Sequence, residues 1–184
     1  MSDIFAGFPP GGGGAVTYST SPFTFWARNP SNNSIAWVLP GANKITVQSF
    51  FIPYNMSVTN INLYINGGDG SNNADVGIYD TSGNLKMHIG AQIINSTGWQ
   101  VFAVTGGPVN LNAGEYLLAF TCVSSSNIRF TASGSTNDGV RGAYYFSTAS
   151  SSSGGALPST ITVATSASIT NASGQDLWPM FYLT

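Results

Sequence analysis

Charge is scarce in this sequence: only 7% of its residues are Asp, Glu, Lys or Arg, where about a quarter is usual. The five basic residues, Arg28, Lys44, Lys86, Arg129 and Arg141, are scattered, and the net charge is −2. Binding to phosphate backbones needs clustered Lys and Arg, so a nucleic-acid partner is excluded as an expectation. There is one cysteine, Cys122, so no intrachain disulfide can form. It sits in "YLLAFTCV", which reads as a buried strand, and the absence of disulfides suits synthesis in a reducing cytoplasm. No apolar run approaches the ~20 residues that span a bilayer, so no membrane partner is expected. The segment "IFAGF" has no basic n-region before it and is too short for an h-region, so it does not read as a secretory signal. There is one histidine, His88, in "LKMHIG". That excludes HExxH and His-rich metal sites, and no G-x-S-x-G elbow occurs. His88 is expected on a half-exposed strand, as a surface or interface residue.

What the chain does have is core material: 42% of its 184 residues are apolar and 12% aromatic. That length fits one domain, or one domain with an appendage. Polarity comes from Ser, Thr, Asn and Gly, which gives a wet but nearly neutral surface. No window holds a helical period. Short runs rich in β-branched and aromatic residues recur instead, among them "KITVQSFFIP", "SVTNINLYI", "ADVGIYD", "WQVFAVT", "GEYLLAFTC", "GAYYFST" and "DLWPMFYLT". Turn signals separate them: "NGGDGSNN", "DTSGN" and "LNAGE". This pattern predicts an antiparallel sandwich or barrel. In "SVTNINLYI" the apolar residues Val58, Ile61, Leu63 and Ile65 mark the buried face, with alternation over 61–65 as far as Tyr64. "EYLLAF", apolar almost throughout, reads as a central strand. In "DTSGN", Asp80 can cap the turn and Gly83 can take the left-handed position. "SSSSGGALP" at 150–158 reads as a flexible, linker-like loop. Residues 159–173 fit either a strand or an extended surface crossover.

Candidate chemistry is sparse. The acidic residues are Asp3, Asp69, Asp75, Asp80, Glu115, Asp138 and Asp176, most of them beside glycine or in turns, where Asp serves the backbone. A hydrolase built on a carboxylate pair is therefore the minority expectation, and no catalytic residue, metal or cofactor is assigned. "DGSNNAD" at 69–75 gathers the oxygen ligands Asp69, Asn72, Asn73 and Asp75, as calcium would require, but the spacing is not that of an EF-hand and a polar turn is preferred. For Trp26, Trp37, Trp99 and Trp178, taken singly, core packing is the better expectation. Trp99 follows the turn "NSTGWQ" and is placed at a rim, where with Asn72 and Asn73 it is the candidate glycan contact. Trp178 reads as a core or interface anchor. The Asn-x-Ser/Thr sites at Asn32, Asn55, Asn95 and Asn171 read as Asn-rich surface.

Over residues 50–120 the order of features is more specific. "FFIPYNMSVTNINLYING" is followed by "ADVGIYDTSGNL", then "STGWQVFAV", then "PVNLNAGEYLLAF", and the chain ends in "GALPST" and "WPMFYLT". This resembles a β-sandwich module of tailed-bacteriophage and prophage structural proteins, especially tail fibres and other virion surface proteins. The resemblance covers about residues 45–184 and marks strands and turns, not chemistry. It implies an all-β fold, an antiparallel jelly-roll-like β-sandwich over 21–184, and trimeric symmetry.

The opening "MSDIFAGFPPGGGGAV" supports neither helix nor long strand, because proline removes a donor and glycine weakens both. It places Ile4, Phe5, Phe8, Pro9 and Pro10 before a glycine hinge, an apolar tip suited to docking on a neighbour. Residues 1–20 are therefore expected to form an extended anchoring arm. The combined expectation is a non-enzymatic bacteriophage virion protein, a head decoration or head fibre, made in the bacterial host cytoplasm and displayed on the virion surface. Its expected partners are its own copies, as a homotrimer, and a major capsid or tail protein. Tyr144, Tyr145, Phe146, Trp178 and Phe181 are the expected interface residues. The alternatives are a receptor-binding tail-fibre or tail-tip protein, or a free carbohydrate-binding module recognising host surface glycans. A glycan hydrolase is the weakest reading.

Overall fold

A computed structural model describes residues 34–38, 42–68, 70–123, 129–134, 145–163, 177–179 and 181–184. Ile4, Phe5, Phe8, Pro9, Pro10, Tyr144, Asp69 and Trp26 lie outside the described residues, as does the expected arm. Every regular element among the described residues is a strand. In chain order they are β1 (Ser34–Val38), β2 (Lys44–Ile52), β3 (Met56–Val58), β4 (Asn60–Gly67), β5 (Asn73–Asp80), β6 (Leu85–His88) and β7 (Gln92–Ile93). There follow β8 (Gly98–Ala103), β9 (Val109–Leu111), β10 (Gly114–Cys122), β11 (Arg129–Gly134), β12 (Tyr145–Ser151), β13 (Leu177–Pro179) and β14 (Phe181–Leu183).

All pairings are antiparallel. One sheet runs β1-β11-β4-β14, with β8 also on β4 and β13 on β11; the second runs β12-β2-β10-β5-β6, with β7 on β5. β3 and β9 form a small third pair. The first two sheets share one core. Ile61, Leu63 and Ile65 of β4, with Phe102 and Phe181, meet Val76 and Ile78 of β5 and Leu118 and Phe120 of β10. The period-2 alternation of β4 is thus used as the sequence predicts: its odd-numbered side chains are fully buried.

The second sheet is covered on both faces, which is why β10 is apolar on both. Tyr116, Leu118, Phe120 and Cys122 belong to the main core, and Leu117 and Ala119 belong to a second cluster with Ile45, Val47 and Tyr79. Leu157 and Ile161 roof this second cluster. The segment 152–163 is therefore a strap across the outer face of the sheet, not the flexible linker expected for 150–158. It is bonded along its length: Leu85 N–H donates to the Ser159 carbonyl at 2.9 Å, and Ile161 N–H to the Gly83 carbonyl at 2.8 Å. The Tyr79 hydroxyl donates to the Pro158 carbonyl at 2.6 Å.

Two glycines make this possible. Gly77 lies under the strap, where an added Cβ would sit 2.9 Å from Leu157 Cδ1 and 2.7 Å from the Met87 carbonyl oxygen. Gly83 has φ 86°, and a Cβ there would run into the Ile161 carbonyl oxygen. The β5–β6 turn is closed as "DTSGN" predicts: Asp80 Oδ1 accepts from the Ser82 N–H at 3.0 Å and the Asn84 N–H at 2.9 Å. The Asn84 N–H above all, then the Asn84 side chain, Lys86 and the Ser82 N–H, hold the Asp80 carboxyl below the usual aspartate range, against a smaller opposing effect of burial.

Candidate functional site

The outer face of the first sheet carries an aromatic patch. Trp99 of β8 stands opposite Tyr64 of β4, and Tyr182 of β14 stands opposite Asn62. The Trp99 ring meets Tyr64 edge-on at 5.6 Å and Tyr182 at 5.1 Å. Such tilted contacts suit the ring quadrupoles and hold each aromatic in place. Asn62, only 2% exposed, fixes the floor: its Nδ2 donates to the Tyr182 carbonyl and to Thr184 Oγ1, each at 3.3 Å. Trp99 remains 42% exposed and Val101, two residues along β8, 66%. Trp99 therefore lies on a sheet face, not in the core that is the better expectation for a lone tryptophan.

Tyr64 and Tyr182 belong to this patch and were missed as candidates. The signal was present: each occupies the outward position between two inward apolar residues, in "LYI" and "FYL". Asn72 and Asn73 do not join the patch. Asn73 opens β5 in the other sheet, opposite Ile93, and Asn72 precedes it.

A second constellation lies beneath the strap. Asp75 is fully buried in β5, with His88 beside it on β6. His88 Nδ1 lies 2.7 Å from Asp75 Oδ2, and the same oxygen accepts the Leu157 N–H at 2.9 Å. Asp75 Oδ1 is buried without a partner among the described residues. One carboxylate thus joins β5, β6 and the strap. Burial first, and the Asp75 charge second, push the Tyr79 hydroxyl well above the usual tyrosine range. Next to Asp75 in register, Thr121 donates to Ser152 Oγ at 2.6 Å, a further tie between β10 and the strap.

This arrangement revises two expectations. His88 is a partner of a buried carboxylate, with a side chain 27% exposed, and not simply a surface residue. Asp75, read in "DGSNNAD" as part of a polar turn, is a buried residue of β5 whose Oδ2 is engaged by His88 and the Leu157 N–H. Among the described residues no three His, Cys, Asp or Glu side chains come together as a metal site. Glu115 is the second residue of β10 and is exposed.

The expected interface residues separate. Phe181 is a core residue, 6% exposed, packed edge-on against Phe50 at 5.2 Å, and is not available to a neighbour. The alternation of β14 buries Phe181 and Leu183 and turns Tyr182 outward. By backbone register, Tyr145 and Phe146 pair with Gln48 and Val47, and Trp178 pairs with Ser133. Trp37 lies in β1 opposite Phe130. No protein-family model and no curated protein matches the chain.

Proposed function

We propose that the chain is a non-enzymatic structural protein of a bacteriophage virion, held to the particle by residues 1–20 and displaying a jelly-roll-like β-sandwich on its surface as a head decoration or head fibre. The observation that supports this reading is where the resembling segments fall. "VGIYDTSGNL" covers β5 from Val76, the Asp80 turn and the start of β6, and "VNLNAGEYLLAF" spans β9 and most of β10. With "SVTNINLYING" on β3 and β4 and "STGWQVFAV" on β8, the resemblance follows strands and turns of both large sheets, which define a scaffold. The titratable residues near them are used for that scaffold as well: Asp75 and His88 tie the strap, and Asp80 closes a turn.

The partners in this reading are sister copies and a capsid or tail protein. A receptor-binding role at a tail tip is the second reading, favoured by the exposed Trp99 ring held between the half-buried Tyr64 and Tyr182, a face that could stack on a sugar ring. Density-gradient purification of phage particles from cells carrying the gene, followed by mass spectrometry, tests the first reading. The chain is expected in the particle fraction at a fixed ratio to the capsid protein; recovery only as free protein rejects it. For the second reading, host surface glycan should shift the tryptophan fluorescence of the parent chain and not of Trp99→Ala.

A further inference from the structure

Among the described residues β8 is an edge strand without the usual protections. The Val104 N–H donates to the Thr59 carbonyl at 2.9 Å. Backbone groups alternate in direction along an antiparallel strand, so Gly98, Gln100 and Phe102 also turn theirs toward β4. Trp99, Val101 and Ala103 turn their N–H and C=O groups away from it. Among the described residues no strand pairs with that outer side.

Proteins normally blunt such an edge with charge, proline, a bulge or a covering segment. Among the described residues β8 has none of these, and the free edge ends at Ala103, since the next outward group, the Thr105 N–H, donates to the His88 carbonyl at 2.8 Å. No charged residue occurs from Ile89 through Gly114. The only proline in that stretch, Pro108, lies beyond the strand. The register against β4 runs unbroken from Ala103 opposite Asn60 to Gly98 opposite Ile65. By contrast, β6 at the edge of the other sheet carries Lys86 and is met by the strap at Ser159.

We propose that β8 pairs with β8 of a second copy of this chain, antiparallel about a two-fold axis through Val101, so that the two first sheets become one continuous sheet. The edge is self-complementary in this arrangement. Val101 faces its own counterpart, and Trp99 of each copy stands opposite Ala103 of the other in register, with its ring held over its own sheet by Tyr64 and Tyr182. The outward backbone groups of all three residues find partners. The absence of charge means that two copies meet without repulsion.

The contact is narrow beside the ~800 Å² per partner of a standard interface. The backbone bonds of the paired edge therefore carry it, and the dimer forms at micromolar concentration and dissociates on dilution. The pairing is isologous, unlike the head-to-tail contact that a trimer needs. It does not depend on the virion reading, since the edge is the same whatever particle the chain joins.

The test is sedimentation velocity of the full-length chain over a concentration series, with hydrogen exchange of the Trp99, Val101 and Ala103 amides. The parent chain and Val101→Thr are expected to dimerise and to protect those amides. Val101→Lys sets two like charges opposite each other at the axis. It is expected to sediment as a monomer, to lose the protection and to keep the parent's melting temperature, because Val101 is already exposed. A parent chain that stays monomeric or forms only trimers overturns the proposal. So does an oligomer unaffected by Val101→Lys, or one lost on deleting residues 1–14 alone, which would make the arm the occupant of the edge. Should Val101→Lys fail to fold, fast exchange of the three amides in the oligomeric parent is sufficient to reject the pairing.

Discussion

Replacing Asp75 by alanine removes the single carboxylate that joins β5, β6 and the strap. The Leu157 N–H, which donates to Asp75 Oδ2 at 2.9 Å, is left buried and unpaired. An unsatisfied buried donor costs about 1–3 kcal/mol. His88 loses its 2.7 Å partner as well, but its side chain is 27% exposed, so water can take over at Nδ1 and the added cost is small. Against this stands a gain, since Asp75 Oδ1 is buried without a partner among the described residues and alanine relieves that atom of its desolvation. The balance is a destabilisation of about 2 kcal/mol, which in a chain of this length lowers the melting temperature by about 4–8 °C. Asp75→Asn keeps an acceptor for Leu157 and should lose roughly half as much. Thermal unfolding followed by circular dichroism reads the global effect, and hydrogen exchange at the Leu157 amide reads the local one. A melting temperature within about 1 °C of the parent for Asp75→Ala, with the Leu157 amide still protected, would refute the role given to this carboxylate.

Gly77→Ala places a Cβ 2.7 Å from the Met87 carbonyl oxygen and 2.9 Å from Leu157 Cδ1. It should destabilise by about 1–3 kcal/mol in a denaturant melt, as overpacking does. Tyr79 is an acid whose folded-state pKa is raised by burial and by Asp75. The stability it contributes is therefore complete below the unfolded value of about 10 and is lost as pH rises toward the higher folded value. In an ultraviolet titration of the folded chain, Tyr79 should stay protonated where exposed tyrosines ionise, and Tyr79→Phe should remove its share of the alkaline loss of stability. Deleting residues 1–14 should leave the melting transition of the sandwich in place and abolish incorporation into particles, checked by the occupancy of the truncated chain in purified virions.

The alternation of "NINLYI" was sufficient to assign Ile61, Leu63 and Ile65 to the core, because the apolar side chains fall at every second position of β4 and all three are fully buried. "DTSGN" was equally legible, since the Asp80 cap and the left-handed Gly83 are interactions local in sequence. The strap was not. "SSSSGGALP" has the composition of a linker, and what orders it comes from distant parts of the chain: the Asp75 carboxylate, the Tyr79 hydroxyl and the Gly83 carbonyl. No local propensity reports such contacts. The role of Asp75 was hidden for the same reason, although "ADVGIYD" already reads as a strand. In "DGSNNAD" it looks like one more turn aspartate, yet β5 has begun at Asn73 and carries Asp75 beneath Leu157. The largely apolar run "LWPMFYLT" does not by itself tell a core side chain from an interface one. Only the pairing of β14 with β4 shows that Phe181 faces inward and Tyr182 outward. The aromatic patch needs the same long-range register, as Tyr64, Trp99 and Tyr182 come from three strands.

Display on a phage particle is the central functional claim, and imaging tests it most directly. Phage particles released from cells carrying the gene would be labelled with a gold-conjugated antibody to the sandwich and viewed by electron microscopy. The account predicts regular labelling of intact particles at one structural location, lost when residues 1–14 are deleted from the chain. Particles that remain unlabelled while the antibody recovers the chain from the particle-free supernatant would contradict it.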